Sequence, residues 1–284
     1  MTTSWQIGDV RVTKVVEEDA PVPGPFVLPD ALPESLAEIP WLAPNFVTGK
    51  GWLKMSIHAL VIESQGLRIL VDTCVGNDKQ RTTKAWAMRT GPFLEDLAAA
   101  GFPRESIDYV MCTHLHVDHV GWNTMRVDGR WVPTFPRARY LFARREWESW
   151  MADPQEEHFG PVMQDSVIPI VDAGLADLVE PDHRLNDEVW FEPTHGHTAG
   201  HISVHIASAG AEAVITGDMT HHPCQLAHPE WRCYADYDAA QAIQTRRDFY
   251  ARYADTDVLV IGTHFAPPTA GRIVRDGDRY RLAC

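Results

Sequence analysis

No run of basic residues occurs in this chain of 284 residues, where 25 Lys and Arg stand against 39 Asp and Glu and leave a formal net charge of −14. Neutralising a nucleic-acid backbone takes clustered Lys and Arg, so the balance argues against a nucleic-acid partner. Nor does any apolar stretch approach the roughly 20 residues that a membrane span needs. The opening Met1-Thr2-Thr3-Ser4-Trp5-Gln6 lacks the basic-then-apolar pattern of a signal peptide. The expectation is a soluble, cytoplasmic protein with no membrane partner. Cysteine is scarce: Cys74, Cys112, Cys224, Cys233 and Cys284 are odd in number, scattered and without C-x-x-C spacing. That pattern suggests neither a disulfide framework nor a thiolate zinc site, and it fits a reducing compartment.

Hydrophobic residues make up 45% of the chain, enough for a sizeable core, and the length suits one compact domain over 1–284. Residues 5–18 alternate around Gly8-Asp9 as a hairpin. Between Pro21 and Pro44 lie seven of the chain's twenty prolines together with Phe26, Leu28, Leu36, Ile39 and Trp41. Such a stretch reads as an extended segment that cannot enter a sheet interior yet must cover a surface. Residues 20–50 are therefore expected to be an arm over the core, a lid on a substrate pocket, or a face for a second copy in a homodimer. Strands are expected at 55–63, 67–72, 109–112, 189–191, 202–206, 213–218 and 258–264, with helices at 92–101, 144–151 and 238–253. Residues 122–137 read as a loop with a turn at Asp128-Gly129, and 153–182 carry no clear pattern. The alternation of strand and helix gives an α/β fold.

Metal-ligand chemistry is concentrated where these strands end. Tyr109-Val110-Met111-Cys112 runs into Thr113-His114-Leu115-His116-Val117-Asp118-His119, four potential ligands within six residues. Period-2 spacing lets His114 and His116 point the same way, while adjacent Asp118 and His119 diverge, so one segment can serve two neighbouring ions. A second cluster, His195-Gly196-His197, uses a glycine to bring its backbone close to a site. Asp72, Asp218 and His264 each close an apolar strand. The inventory assigns His114, His116 and His197 to one metal, Asp118, His119 and His264 to another, and Asp218 to a bridge between them. Nitrogen and oxygen donors without sulfur suit two Zn²⁺ ions, with Mn, Fe or Co as alternatives. His58, His158 and His183 read as structural or surface histidines, and His195, His201 and His222 as supporting residues at most.

The H-x-H-x-D-H run at His114, His116, Asp118 and His119, with His197, Asp218 and His264 following in order, closely resembles the metallo-β-lactamase superfamily. The resemblance spans about residues 50–270. It implies an αββα sandwich with a dinuclear site at one edge, and a supporting role for Asp72. The fold hosts many reactions, so the substrate must come from elsewhere. Glyoxalase II-like members add a helical domain where only twenty residues follow His264 here. Antibiotic-hydrolysing members generally lack the bridging aspartate at the Asp218 position. Length, Asp218 and the Pro-rich segment are most similar to N-acyl homoserine lactonases and methyl parathion hydrolase-like enzymes. The lactonases place a tyrosine three residues after the bridging aspartate, where this chain has His221. The expectation is a dinuclear zinc hydrolase whose bridging hydroxide opens an apolar lactone or ester, with phosphotriesters as a further class. Asp118 or a metal-bound water passes the proton to the leaving oxygen, and His221 stabilises developing charge. A β-lactam hydrolase and a mononuclear-iron persulfide dioxygenase-like oxidoreductase are the alternatives.

Overall fold

A computed structural model describes residues 3–284. The strands are, in chain order, β1 (Thr3–Ile7), β2 (Val10–Pro23), β3 (Trp52–Ser64), β4 (Leu67–Val71), β5 (Tyr109–Met111), β6 (Thr124–Val127), β7 (Arg130–Pro133), β8 (Arg139–Ala143), β9 (Ala176–Val179), β10 (Val189–Pro193), β11 (Ile202–Ser208), β12 (Ala211–Ile215), β13 (Leu259–Ile261), β14 (Ala270–Asp276) and β15 (Arg279–Ala283). The α-helices are α1 (Pro33–Ala37), α2 (Phe93–Ala99), α3 (Arg144–Ala152), α4 (Glu156–Phe159), α5 (Ile168–Asp172), α6 (Cys224–Ala227) and α7 (Ala239–Tyr253). The chain sorts into two compact units, one taking the chain up to Glu17 with Ile57–His183, the other Glu18–Ser56 with Arg184–Cys284. No helix among the described residues is long and apolar enough to cross a membrane.

The sheet of the first unit has the order β1-β2-β3-β4-β5-β8-β9. Its β4, β5, β8 and β9 run parallel. Val110 and Met111 on β5 and Ile69, Leu70 and Val71 on β4 are buried, as strands covered on both faces require. Register places Val71 opposite Met111 and Met111 opposite Leu141, so the strands end level. Asp72 and the Thr113-His114 exit therefore leave the sheet side by side. Residues 122–137, expected as a loop with a turn at Asp128-Gly129, hold that turn between the two strands of the antiparallel hairpin β6–β7. The patternless 153–182 region holds α4, a single π-helical turn at Met163–Val167, α5 and β9.

The second unit repeats the device. Its sheet runs β10 to β15 in sequence order, with β12 and β13 parallel and joined through α7. Ile215 pairs with Ile261, so the Gly217-Asp218 and Thr263-His264 exits also leave together. Asp238 caps α7, its carboxylate accepting from the Gln241 N–H at 3.0 Å. The Pro-rich segment departs from the extended form expected: Pro33 opens α1 and Pro40 opens a short 3₁₀ turn. Proline's fixed φ suits a first helical position, where its missing N–H is no loss. Leu28, Leu36, Leu42 and Phe46 are buried among Leu226, Trp231, Phe249 and Tyr250, so the segment supplies part of this unit's own core.

Candidate functional site

In the first unit the motif residues converge. His114 Nε2 lies 3.0 Å from His116 Nδ1, the rings of His114 and His119 are 4.1 Å apart, and His119 Nε2 is 3.8 Å from Asp118 Oδ1. Asp72 organises the group. Its Oδ1 accepts the Thr113 N–H at 2.8 Å, and its Oδ2 lies 2.8 Å from His119 Nδ1. The Thr113 hydroxyl donates to Asp72 at 2.8 Å, which leaves its oxygen to accept from His114 Nδ1 at 3.0 Å. One carboxylate thus sets two imidazole tautomers so that each Nε2 carries the lone pair. From α3, Glu146 Oε1 accepts the Leu115 N–H at 3.0 Å and the Trp150 indole N–H at 2.9 Å. Trp150 and Phe159 in turn pack against the His116 ring at 5.6 and 4.7 Å.

The second unit gathers imidazoles about a carboxylate. Asp218 Oδ2 faces His264 Nε2 at 3.1 Å, His221 Nε2 at 3.3 Å and His197 Nε2 at 3.6 Å, all four residues being buried. Again the outer nitrogens are held, His264 Nδ1 by the Ser56 carbonyl and His197 Nδ1 by Asp236, each at 3.0 Å. His201 Nε2 accepts the Asp218 N–H at 2.8 Å, and its Nδ1 turns to Thr194. Gly217 is required here: its φ is +55°, and a Cβ would lie 2.5 Å from His201 Nε2.

Charge follows this geometry. Burial lowers the His197 pKa, whereas for Asp236 the hydrogen bond from His197 and the charges of His197 and Arg246 overcome burial and lower it. Burial also pulls the His221 pKa down, yet its interactions with Cys233 and Asp218 raise it well above the ordinary histidine value. His222 is a structural residue instead, with Nε2 2.9 Å from the Phe46 carbonyl and a pKa lowered by burial to about 4. His195 holds the His201 carbonyl at 3.0 Å and is likewise supporting.

Asp236 and Arg246 escaped the sequence reading. Arg246 on α7 is fully buried and donates to the carbonyls of Met219 at 2.9 Å, Pro229 at 3.0 Å and Trp231 at 3.3 Å, with Asp236 Oδ2 at 3.8 Å. Asp236 lies 39 residues from His197 in sequence, and no local pattern announces it.

The family model of the metallo-beta-lactamase superfamily matches residues 54–264. The chain belongs to that superfamily. Among solved structures, this metallo-β-lactamase superfamily chain is similar to AidC, described as a dizinc quorum-quenching lactonase in complex with its product. The two share 21% identity over 99% of this chain and 96% of that one, with a TM-score of 0.82. It is similar to the hydrolase AbOPH at 24% identity, the same coverage of both chains and a TM-score of 0.81. A mutant of AiiA from B. thuringiensis, with N-decanoyl-L-homoserine bound, shares 17% identity over 87% and 89% of the two chains, with a TM-score of 0.61. No curated protein matches the sequence. The metallo-β-lactamase fold expected from the histidine motif is thus the fold of this superfamily member. The donors also fit the divalent ions the superfamily implies. They are imidazole nitrogens and carboxylates, and the outer nitrogens of His114, His119, His197 and His264 are each engaged by a carboxylate, hydroxyl or carbonyl.

Proposed function

We propose that this superfamily hydrolase is a dinuclear metalloenzyme that opens a lactone or carboxylic ester, with phosphotriesters as a secondary class. His114, His116 and His197 would hold one ion, Asp118, His119 and His264 the other, and Asp218 would be shared. Zinc is the first choice for such donors, with Mn, Fe or Co as alternatives. The observation that carries this reading is the fixing of the outer imidazole nitrogens, an arrangement that a purely structural histidine does not need. The two units then act as one metallo-β-lactamase domain, since the family model runs through both. Substrate class is supported by the lactonase neighbours, AidC with an N-acyl homoserine product and AiiA with N-decanoyl-L-homoserine bound.

Bound divalent ions supply Lewis acidity toward a carbonyl oxygen and bring the pKa of coordinated water to about 7. The chain's own residues do the rest. Asp72, Asp236 and the Ser56 carbonyl orient His119, His197 and His264. Asp118, with 12% of its side chain exposed, accepts a proton and returns it to the leaving oxygen. His221 donates to the developing charge from its place beside Asp218, work worth about a hundredfold to a thousandfold in rate. His221→Ala should keep both metals yet lower kcat by that factor.

Metal quantification on purified protein, combined with a hydrolysis panel of lactones, aryl esters, phosphotriesters and β-lactams, tests the assignment. Two ions per chain and turnover of lactones or esters are expected. A single iron with sulfur oxidation and no hydrolysis would overturn it in favour of a persulfide dioxygenase-like oxidoreductase, and turnover confined to β-lactams would overturn the substrate class.

A further inference from the structure

We infer that the second unit also contains a thiolate metal position, made by Cys233, His221, His197 and Asp218, that takes a soft or borderline divalent ion such as cobalt, zinc or cadmium. The spacing of the cysteines gave no sign of it. Cys233 stands twelve residues beyond His221, outside any ligand-spacing pattern, and only the fold brings the two together.

The donors are buried, with Cys233 4% exposed, His221 4%, His197 1% and Asp218 3%. One donor atom from each of His197, His221 and Cys233 lies within 4.8 Å of the others. A tetrahedral ion with bonds of about 2.0–2.1 Å to nitrogen and oxygen and about 2.3 Å to sulfur spaces its donors roughly 3.3–3.6 Å apart. Asp218 Oδ2 already stands 3.3 Å from His221 Nε2 and 3.6 Å from His197 Nε2. Two edges of the tetrahedron are therefore in place, and the thiol of Cys233 lies within 4.8 Å of both imidazole donors.

Two further features point to a ligand. The His221 ring packs against Cys233 and Asp218, and its Nδ1 is buried without a hydrogen-bond partner. Asp236 orients two of the four donors at once, taking His197 Nδ1 at 3.0 Å on Oδ1 and the Cys233 N–H at 2.9 Å on Oδ2. The Ala235 N–H also reaches Cys233 Sγ at 3.4 Å and helps to hold the sulfur in place. Binding requires both the Cys233 thiol and the His221 imidazole to be deprotonated, and thiolate plus carboxylate then balance the divalent charge. The position shares His197 and Asp218 with the proposed dinuclear centre, so the two compete for an ion. All four donors belong to one unit, and the inference does not depend on that centre being dinuclear.

Titrating metal-free, full-length protein with cobalt(II) under reducing conditions tests this. The first equivalent should bring a near-ultraviolet thiolate-to-cobalt charge-transfer band. Cys233→Ser should abolish the band, while Cys224→Ser, which alters another buried thiol of the same unit, should keep it. His116→Ala should keep the band while lowering the total cobalt bound, which separates this position from the dinuclear centre. X-ray absorption on the wild type needs no variant and should find one sulfur at about 2.3 Å. A wild type with no charge-transfer band at any cobalt ratio and no sulfur scatterer would overturn the inference, as would a band that survives Cys233→Ser in folded protein.

Discussion

Replacing Asp236 by asparagine keeps the shape of the side chain and removes one acceptor, which makes it a sharp probe of how His197 is held. The carboxylate serves His197 Nδ1 at 3.0 Å and the Cys233 N–H at 2.9 Å, with the Arg246 guanidinium 3.8 Å away. An amide can accept from only one of the two N–H groups and must turn its own NH₂ toward the other. If the oxygen faces His197, the Cys233 N–H is orphaned, at about 1–3 kcal/mol for a buried donor. If the NH₂ faces His197, the proton is driven onto Nε2, which points at Asp218 and would carry the metal. Arg246 retains three carbonyl acceptors, so its own loss is partial. The expected result is a fall in metal affinity of about 10- to 100-fold, the range for an outer partner of a metal-bound histidine. The metal-free protein should also melt roughly 2–10 °C lower. Competition against a chelator and calorimetry of the metal-free protein measure the two separately. Wild-type affinity together with a wild-type Tm would refute the claim that Asp236 orients His197.

Lys79 gives a pH signature away from the site: burial draws its pKa from 10.5 down to about 7, against the pull of Asp165. The unfolded chain then binds the extra proton between pH 7 and 10.5, so wild-type stability should rise through that window by up to about 1.4 kcal/mol per pH unit. Lys79→Met should flatten the rise, and identical slopes of Tm against pH in the two proteins would contradict the assignment. Gly217→Ala should destabilise by about 1–3 kcal/mol or more, through positive φ and the clash with His201, and should lower metal content. A soluble variant with wild-type Tm and metal content would show that the Asp218 turn tolerates a side chain. Leu42→Ala should destabilise by about 2–5 kcal/mol, because Leu42 is fully buried in the core of the second unit. Loss of substrate affinity without loss of stability would instead favour a lid.

The strand-end positions were legible because short apolar runs such as Tyr109–Met111 and Leu259–Ile261 need no long-range information to read as buried strands, and the candidate ligands follow them directly. The same reasoning placed Asp218 and located α7 through its Asp238 cap. Asp236, Glu146 and Arg246 were invisible, since each acts across the fold on a partner in another element and none sits in a periodic pattern. The β6–β7 hairpin could have been read. Asp128-Gly129 is a strong turn signal, and Thr124–Val127 and Arg130–Pro133 are short strands on either side of it. The Pro-rich segment is helical in places rather than extended because proline, which breaks a sheet, also opens a helix at its first position, as Pro33 and Pro40 do.

Arg246 has a bearing on how this protein can change. A single guanidinium fastens the turn that follows Asp218, through Met219, to the stretch carrying Pro229, Trp231 and Asp236. Variation at one of these segments is therefore felt at the other, and neither can be reshaped alone without stranding a buried charge. Transplanting residues 219–236 into another scaffold, or shuffling them in a directed-evolution library, should preserve their geometry only where an arginine on the facing helix travels with them.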